Sequence, residues 1–232
     1  MAKRRKVGNP LAFAVLGTLF ERPMHPYEIS TTLRERGKDQ SIKVNYGSLY
    51  SVVAALEKHG FVEAQEKIRE GNRPERTVYR ITGAGQAEFE DWLTELLGTP
   101  FREFHPLEAG LAYLPGLSPD RVVELLEQRQ VLIGTEIRDM TAMHKLMDSQ
   151  DLPRIFWVES EFRLALLRAE SQYVHQLAEE IRTDALGGSA FWRKAWKVYL
   201  EEGIAPADQL KDPVKYFGQD FAWMREVRPE AE

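Results

Sequence analysis

The 232-residue sequence contains no cysteine, which excludes disulfides, thiolate metal sites and cysteine nucleophiles. No apolar run is long enough to cross a bilayer, and the N-terminal MAKRRKVGNP lacks the apolar segment of a signal peptide. We therefore expect a cytoplasmic protein without a membrane partner. Apolar residues make up 43% and charged residues 29% of the chain, a balance typical of a globular protein rather than a disordered one.

Motifs for catalysis and metal binding are also missing. The five histidines are scattered and form neither an HExxH motif nor another paired ligand spacing. No serine lies in a GxSxG context, and the GAG at residues 83–85 lacks the lysine of a phosphate-binding loop. We therefore predict that the chain is not an enzyme and has no catalytic residues, no bound metal and no cofactor.

Charge is unevenly distributed along the chain. Residues 1–85 carry 15 lysines and arginines and 9 acidic residues, a net charge of +6, whereas the remainder carries 16 and 27, a net charge of −11. Such an asymmetry is typical of a protein with a nucleic-acid or anionic-surface partner. Two ordinary solvated surfaces explain the charge alone equally well.

The first 85 residues are predicted to form three helices and a two-stranded hairpin. Helices are expected over 10–23, 25–37 and 45–60, and alternating strands over 61–67 and 76–82. The second helix is expected to bury a modest apolar stripe of Tyr27, Ile29 and Leu33. This order of elements is typical of a winged helix-turn-helix.

The third helix has two contrasting faces. Its apolar face, at helical spacing, is predicted to be core: Leu49, Val52, Val53 and Leu56. Its opposite face carries small residues and one lysine, with Tyr50 at the edge: Gly47, Ser51, Ala54 and Lys58. Small residues let a helix backbone approach a large partner, and a DNA major groove admits such a helix. The alternative is a second packing face against the acidic C-terminal part.

The hairpin turn is cationic. It carries Arg69, Asn72, Arg73 and Arg76, which suit phosphates or a minor groove. In isolation the turn could equally be a solvated charge run. Together with the third helix and the order of elements, it favours double-stranded DNA as the partner. The alternative function is a winged-helix protein-protein interaction module without DNA binding.

Three segments resemble the PadR family of bacterial transcriptional regulators: LAFAVLGTLFERPMHPYEIS, YGSLYSVVAALEKHGFVEA and GNRPERTVYRITGAGQAEFEDWL. The resemblance implies a homodimer that binds an inverted-repeat operator, acts as a repressor and is released by a small-molecule effector. It implies DNA contacts by Tyr46, Ser48, Tyr50 and Ser51 on the third helix and by Asn72 and Arg73 on the wing. Lys58 and Arg76 complete the expected DNA-binding set. The arm KRRK at residues 3–6 has no counterpart, and is expected either to contact DNA or to be a disordered tail.

The helix expected over 85–98 carries the candidate effector residues. In a drug-responsive branch of the PadR family, an aromatic side chain on this helix faces its two-fold mate and stacks on planar cations. By resemblance this implicates Trp92 as a ligand or dimer contact, together with Phe89 as an effector residue. The alternative for Trp92 is ordinary core packing.

Two long amphipathic helices are predicted over 117–147 and 155–181, packed antiparallel on each other and against a dimer mate. The second is predicted to bury a stripe that includes Ile155, Val158, Phe162, Leu166, Ala169, Tyr173, Leu177 and Ile181. Met140, Met143 and Met147 are expected either to line an adaptable ligand pocket or to be core.

The sequence thus predicts a mainly α fold in four parts. These are a basic arm (1–8), a winged helix-turn-helix (9–84), a helical dimerisation and effector domain (85–186) and an aromatic-rich extension (187–232). Four interpretations of the extension are open: cover for the apolar surface of its own dimer, a lid on an effector pocket, a protein-docking surface or a membrane-surface helix. Burial on the dimer is the default expectation.

Overall fold

The computed structural model describes residues 5–38, 41–42, 45–68 and 76–225. The chain divides into two compact units, Met1–Glu103 and Phe104–Glu232. Ten α-helices and one two-stranded antiparallel sheet account for most of the described residues, which confirms the predicted mainly α class. Among the described helices, none combines the length and the apolar character that a membrane span requires.

The N-terminal unit contains four helices and the hairpin. Its elements are α1 (Pro10–Glu21), α2 (Pro26–Glu35), a 3-10 turn (Tyr46–Ser48), α3 (Leu49–Lys58), β1 (Val62–Ile68), β2 (Arg76–Ile81) and α4 (Gly83–Gly98). The Asn9 side chain accepts a hydrogen bond from the Leu11 amide at 2.8 Å, and the His25 ring accepts one from the Tyr27 amide at 3.1 Å. Both caps precede a proline in the first turn, whose ring suits that position.

The core of this unit forms where α1, α2 and α3 meet. The four apolar positions predicted for α3 are all buried, together with most of α1 and with Ile29 and Leu33 of α2. β1 and β2 pair from Val62↔Ile81 to Ile68↔Arg76 with an irregularity at Gln65. Tyr79 of β2 also exchanges two backbone hydrogen bonds of 3.0 Å with Met24, which ties the hairpin to the α1–α2 connection.

Helix α4 packs onto α1 within the N-terminal unit. Phe89 stacks on Phe13 with ring centroids 5.2 Å apart, and Gly17 leaves room for the Phe89 ring. The unit therefore extends to Glu103, whereas the sequence division placed α4 with the helical domain after residue 84. The difference arises because helical periodicity reveals an apolar face but not the element that covers it.

The C-terminal unit is entirely helical in the residues described. Its helices are α5 (Pro106–Leu111), α6 (Pro119–Ser149), α7 (Val158–Arg182), α8 (Ser189–Glu202), α9 (Pro206–Gln209) and α10 (Pro213–Phe217), with 3-10 turns at Leu114–Gly116, Arg154–Phe156 and Gln219–Arg225. Helices α6 and α7 run antiparallel: Gln130 hydrogen-bonds Ser171 at 2.9 Å in the middle part of both helices, and His144 hydrogen-bonds Ser160 at 2.5 Å near the turn that joins them. The predicted helical hairpin is therefore present.

The predicted stripe on α7 is buried only at its C-terminal end. Leu177 and Ile181 lie in a core with residues of α6 and α8, whereas Phe162 is 66% and Leu166 55% exposed. The single chain therefore covers only the C-terminal part of the stripe, and packing of the rest against a dimer mate stays a prediction. In its middle, α7 buries Leu164 and Val174, which are not part of the stripe. Apolar residues occur on more than one side of this helix, and only one of those sides meets α6.

The aromatic extension packs on its own unit. The Trp192 indole donates to the Leu117 carbonyl at 2.8 Å, and the Trp196 indole donates to the Pro115 carbonyl at 3.0 Å. Arg193 forms ion pairs with Asp120 and Asp184. Helix α8 thus covers apolar surface of the same chain, and the compact unit includes it rather than ending at residue 186.

Candidate nucleic-acid interface

The exposed face of α3 lies directly opposite its buried face. Tyr50 is 61% exposed, and Ser51, Ala54 and Lys58 are exposed beside it. The Ser51 hydroxyl donates to the Ser48 carbonyl at 2.7 Å, so its oxygen can still accept a hydrogen bond from a partner. This face is therefore flat along most of the helix, with one aromatic side chain and one cation projecting from it.

The helix begins with a 3-10 turn that withdraws two expected contacts from this face. The Asn45 side chain accepts from the Gly47 amide at 3.1 Å, which caps the tight turn. The half-buried Tyr46 ring packs beneath the Arg34 guanidinium, 4.1 Å from the ring centroid, and also against the core. Ser48 is half-buried and donates to the Asn45 carbonyl at 2.8 Å. Of the four residues implied by resemblance on this helix, Tyr50 and Ser51 are the exposed ones.

His25, which precedes α2, lies beside this face, and Tyr27 in the first turn of α2 is exposed; neither was among the residues predicted to contact DNA. Tyr27 is 65% exposed, so its assignment to a buried stripe with Ile29 and Leu33 is wrong. Residues two apart on a helix point in nearly opposite directions. If Ile29 is buried, the spacing in the sequence therefore predicts that Tyr27 is exposed to solvent. His25 lies edge-on to Tyr50 with ring centroids 6.4 Å apart, so it helps to fix the direction of the Tyr50 side chain.

The predicted wing contacts fall at the edge of the described structure. Arg69, Asn72 and Arg73 lie outside the described residues, and of Arg76 only the backbone is described, at the start of β2. The strands that carry the turn are well paired, and Arg80 and Glu63 form a cross-strand ion pair at 2.6 Å. The four wing residues stay a prediction as DNA contacts.

The described end of the basic arm is held by α4. Arg5 contacts Glu88 at 2.8 Å, Asp91 at 2.9 Å and Glu95 at 2.5 Å, and its side chain is only 3% exposed. Burial by itself lowers the pKa of Arg5, but the hydrogen bonds to the three carboxylates outweigh it and raise this pKa above its ordinary value. Arg5 is thus neither a free phosphate contact nor part of a disordered tail, unlike both expectations for the arm.

Trp92 and Phe89, the candidate effector residues, are half-buried between α4 and α1. The Arg5 guanidinium lies 4.9 Å from the Trp92 ring centroid, and Phe13 lies 5.4 Å from Trp92 and 5.2 Å from Phe89. Both rings therefore make intramolecular contacts of the kind expected from core packing. Their effector role stays a prediction.

Residues 15–91 match the family described as "Transcriptional regulator PadR-like family". This third of the chain is therefore PadR-like. The matched residues include α2, α3, the hairpin and most of α1 and α4. Members of the PadR-like family are transcriptional regulators rather than enzymes, as the sequence predicted. No curated protein sequence matches the chain.

Solved PadR structures share the fold at low identity. Bacillus subtilis PadR in complex with operator DNA is 16% identical, with a TM-score of 0.63, and the match covers 73% of this chain and 97% of that chain. B. subtilis PadR in complex with p-coumaric acid is 17% identical, with a TM-score of 0.53, covering 72% and 99%. The PadR-like regulator BC1756 from Bacillus cereus is 15% identical, with a TM-score of 0.53, covering 75% and 99%. These matches establish the PadR-like winged-helix fold.

Proposed function

We propose that this PadR-like regulator binds double-stranded operator DNA sequence-specifically through α3 and the wing. This proposal rests on the exposed face of α3. Tyr50 and Ser51 project from this face, whereas the opposite side of the helix is buried in the core. Base edges in the major groove are read by short polar and aromatic side chains on such a helix. Tyr46 and Ser48 lie back from this face and instead stabilise the turn at its N-terminal end.

Phosphate contacts supply the remaining affinity. Lys58 is exposed at the end of α3, and Asn72, Arg73 and Arg76 belong to the cationic wing. Residues 1–85 carry a net charge of +6, and the acidic residues of α4 and the segment after it reduce the net charge of the whole N-terminal unit to +2. The unit therefore stays positive and attracts DNA despite the overall charge of −5. Because phosphate contacts release counterions, affinity falls steeply as salt rises.

The regulator acts as a homodimer on an inverted-repeat operator. Large apolar side chains of α6, α7 and their connection are exposed in the single chain: Val131, Leu132, Ile155, Phe156, Phe162 and Leu166. Exposed apolar groups on this scale favour an interface, and a second copy offers the same groups by two-fold symmetry. A symmetric dimer reads two half-sites of opposite orientation, which requires an inverted repeat.

Repression and release by a small aromatic effector complete the proposal. Blocking the operator is the expected action of PadR-like regulators, and a structure of B. subtilis PadR holds p-coumaric acid. In this chain Trp92 and Phe89 are the proposed effector residues, provided that a ligand displaces the neighbouring Arg5 from Trp92. A reporter gene downstream of the operator distinguishes repression from activation.

The proposal is tested by selecting bound sequences from a random DNA library with the purified full chain, then measuring affinity for the enriched site. We expect an inverted repeat, and we expect Tyr50→Ala or Ser51→Glu to weaken binding at least about a hundredfold, since each removes or repels contacts at the groove. Tyr113→Ala, at an exposed tyrosine of the other unit, is the matched control and binds like wild type.

Circular dichroism establishes that each variant is folded before affinity is compared. Failure to enrich any sequence would remove the DNA-binding proposal and favour the protein-interaction module. Wild-type affinity in both α3 variants would instead show that another face of the N-terminal unit meets DNA.

A further inference from the structure

A cleft opens between α6 and α7 near the turn that joins them. Its volume is about 560 Å³, within the range of small-molecule sites. Two rows of residues at helical spacing face each other across it, and Leu164 and Ala165 contribute apolar surface. The other lining residues are polar, charged or aromatic: Thr141, His144, Lys145, Asp148, Arg154, Trp157, Glu161 and Arg168. None of the three methionines expected to line a pocket contributes to this cleft.

An aromatic wall of the cleft is held in place by its neighbours. The His144 and Trp157 rings lie 4.8 Å apart. His144 Nε2 hydrogen-bonds the Ser160 hydroxyl at 2.5 Å, and the Trp157 indole donates to the Leu152 carbonyl at 3.3 Å. These contacts fix the orientation of both rings before a ligand arrives. Binding of a flat ligand therefore costs little conformational entropy for ordering these side chains.

The charges around this wall favour an anion. Arg154 binds both carboxylate oxygens of Glu161 at 2.8 and 2.9 Å, so this acidic group is already neutralised. Lys145 and Arg168 form no ion pair within the described part of the chain, and both are exposed. Asp148 is the one acidic lining residue that faces them unneutralised. The free positive charges therefore exceed the free negative charge.

We propose that this cleft is a binding site for a small planar aromatic anion. The ring stacks on Trp157, whose plane is inclined by 44° to that of the neighbouring His144. The anionic group binds Lys145 and Arg168, which present several donors to carboxylate or phosphate oxygens. An aromatic carboxylate and a nucleoside monophosphate share this chemistry, and both fit the volume. Any effect on operator binding rests on the proposed function, whereas the binding itself does not.

Calorimetric titration of the full chain without DNA tests the site with two anions and their neutral counterparts. The pairs are 4-hydroxybenzoate with 4-hydroxybenzyl alcohol, and AMP with adenosine. We expect at least one anion to bind, and its neutral counterpart to bind at least about tenfold more weakly, because a charge-assisted hydrogen bond is lost. The anion that binds identifies the source as carboxylate or phosphate.

Charge-removing variants locate the bound anion. The double variant K145Q/R168Q should lose at least about tenfold in affinity, whereas K197Q, at an exposed lysine of α8 outside the cleft, should bind like wild type. W157F keeps an aromatic wall and should bind within about threefold of wild type, and W157L should bind more weakly than W157F. Circular dichroism checks that each variant is folded.

Three results would overturn the proposal: no heat from either anion, equal affinity for a neutral counterpart, or wild-type affinity in K145Q/R168Q. DNA affinity of the unliganded wild type is measured separately. If the protein binds an anion but no DNA, the proposal of an anion site in the cleft stands and the proposal of DNA binding fails. If the protein binds DNA but neither anion, only the proposal of an anion site fails.

Discussion

At the scale of single residues, Arg5 links the start of the chain to α4. Its planar guanidinium satisfies three carboxylates and covers the Trp92 ring at the same time. Arginine suits this position because its donors are arranged as a fork and its weakly hydrated plane stacks on aromatic rings. A residue in a basic sequence, which suggests DNA contact, instead neutralises an acidic helix face.

Removing this side chain should destabilise the N-terminal unit. We expect Arg5→Ala to lower the free energy of unfolding by about 1–3 kcal/mol, because Glu88 and Glu95, whose side chains are largely shielded from water, each lose an ion pair with the guanidinium. Arg5→Lys keeps the charge but not the fork, and should recover only part of the loss. Urea unfolding measures both, and equal stability of wild type and Arg5→Ala would show that the contact contributes nothing.

Gly85 is a second residue whose role is steric. A Cβ atom there would lie 2.0 Å from the Phe61 carbonyl oxygen, since the first turn of α4 passes directly over the start of the hairpin. The Thr82 side chain caps the same turn by accepting from the Gly85 amide at 3.1 Å. The GAG sequence thus reflects a close backbone approach.

Gly85→Ala should therefore destabilise the protein by about 2–3 kcal/mol, the cost of forcing the backbone apart. Gly98, at the end of the same helix, has no atom within 4 Å of a built Cβ, so Gly98→Ala is the matched control and should be neutral or slightly stabilising. Thermal unfolding of both variants makes the comparison. A Gly85→Ala protein as stable as the control would contradict the close approach.

At the scale of elements, the helices differ in how completely their apolar faces are covered. Helix α3 buries all four of its stripe residues within its own unit. Helix α7 buries its C-terminal part under α6 and α8 but leaves Phe162, Leu166 and Tyr173 exposed. The apolar face of α3 is covered by its own chain, whereas the exposed part of α7 is where we propose that a second copy packs.

The segments after α7 pack on one another within the C-terminal unit. Gln209 is fully buried, and its side-chain amide donates to the carbonyls of Ala195 and Ile204 at 2.9 and 2.7 Å. This joins α9 to α8, while Phe191 packs edge-on against Phe217 of α10 with centroids 4.4 Å apart. The aromatic residues after Gly188 are therefore largely engaged within one unit, which disfavours a free membrane-surface or docking role.

At the scale of the whole molecule, the exposed face of α7 predicts the oligomeric state. We expect Phe162→Asp and Leu166→Asp to convert a dimer to a monomer, because a charge at an apolar interface has no partner to replace its water. Sedimentation velocity measures the change. Leu200→Asp, at a residue of α8 that is also exposed, is the control and should remain dimeric.

Loss of the dimer should also weaken operator binding by at least about a hundredfold, since each protomer then meets only one half-site. This couples the C-terminal unit to DNA affinity without any direct contact. A monomeric variant with wild-type affinity, or a wild-type protein that is itself a monomer, would contradict the proposed dimer.

Much of the N-terminal unit could be predicted because its signals are local. The buried face of α3 follows from helical spacing, and β1 and β2 follow from alternation around a polar turn. The error at Tyr27 came from grouping residues two apart on a helix. The interactions of Arg5 could not be predicted, because its partners on α4 lie more than eighty residues away in sequence and depend on how α4 meets α1.

The sequence by itself determined the order of elements, the faces of α3 and the PadR-like character of residues 15–91, since periodicity, caps and motifs are properties of short segments. Only the tertiary structure decided what covers each apolar face: α1 for Phe89, and the protein's own α6 for Trp192. It also brought His144 and Trp157 together as one wall of a charged cleft. Such groupings depend on how helices pack side by side, and helical periodicity does not specify the neighbour.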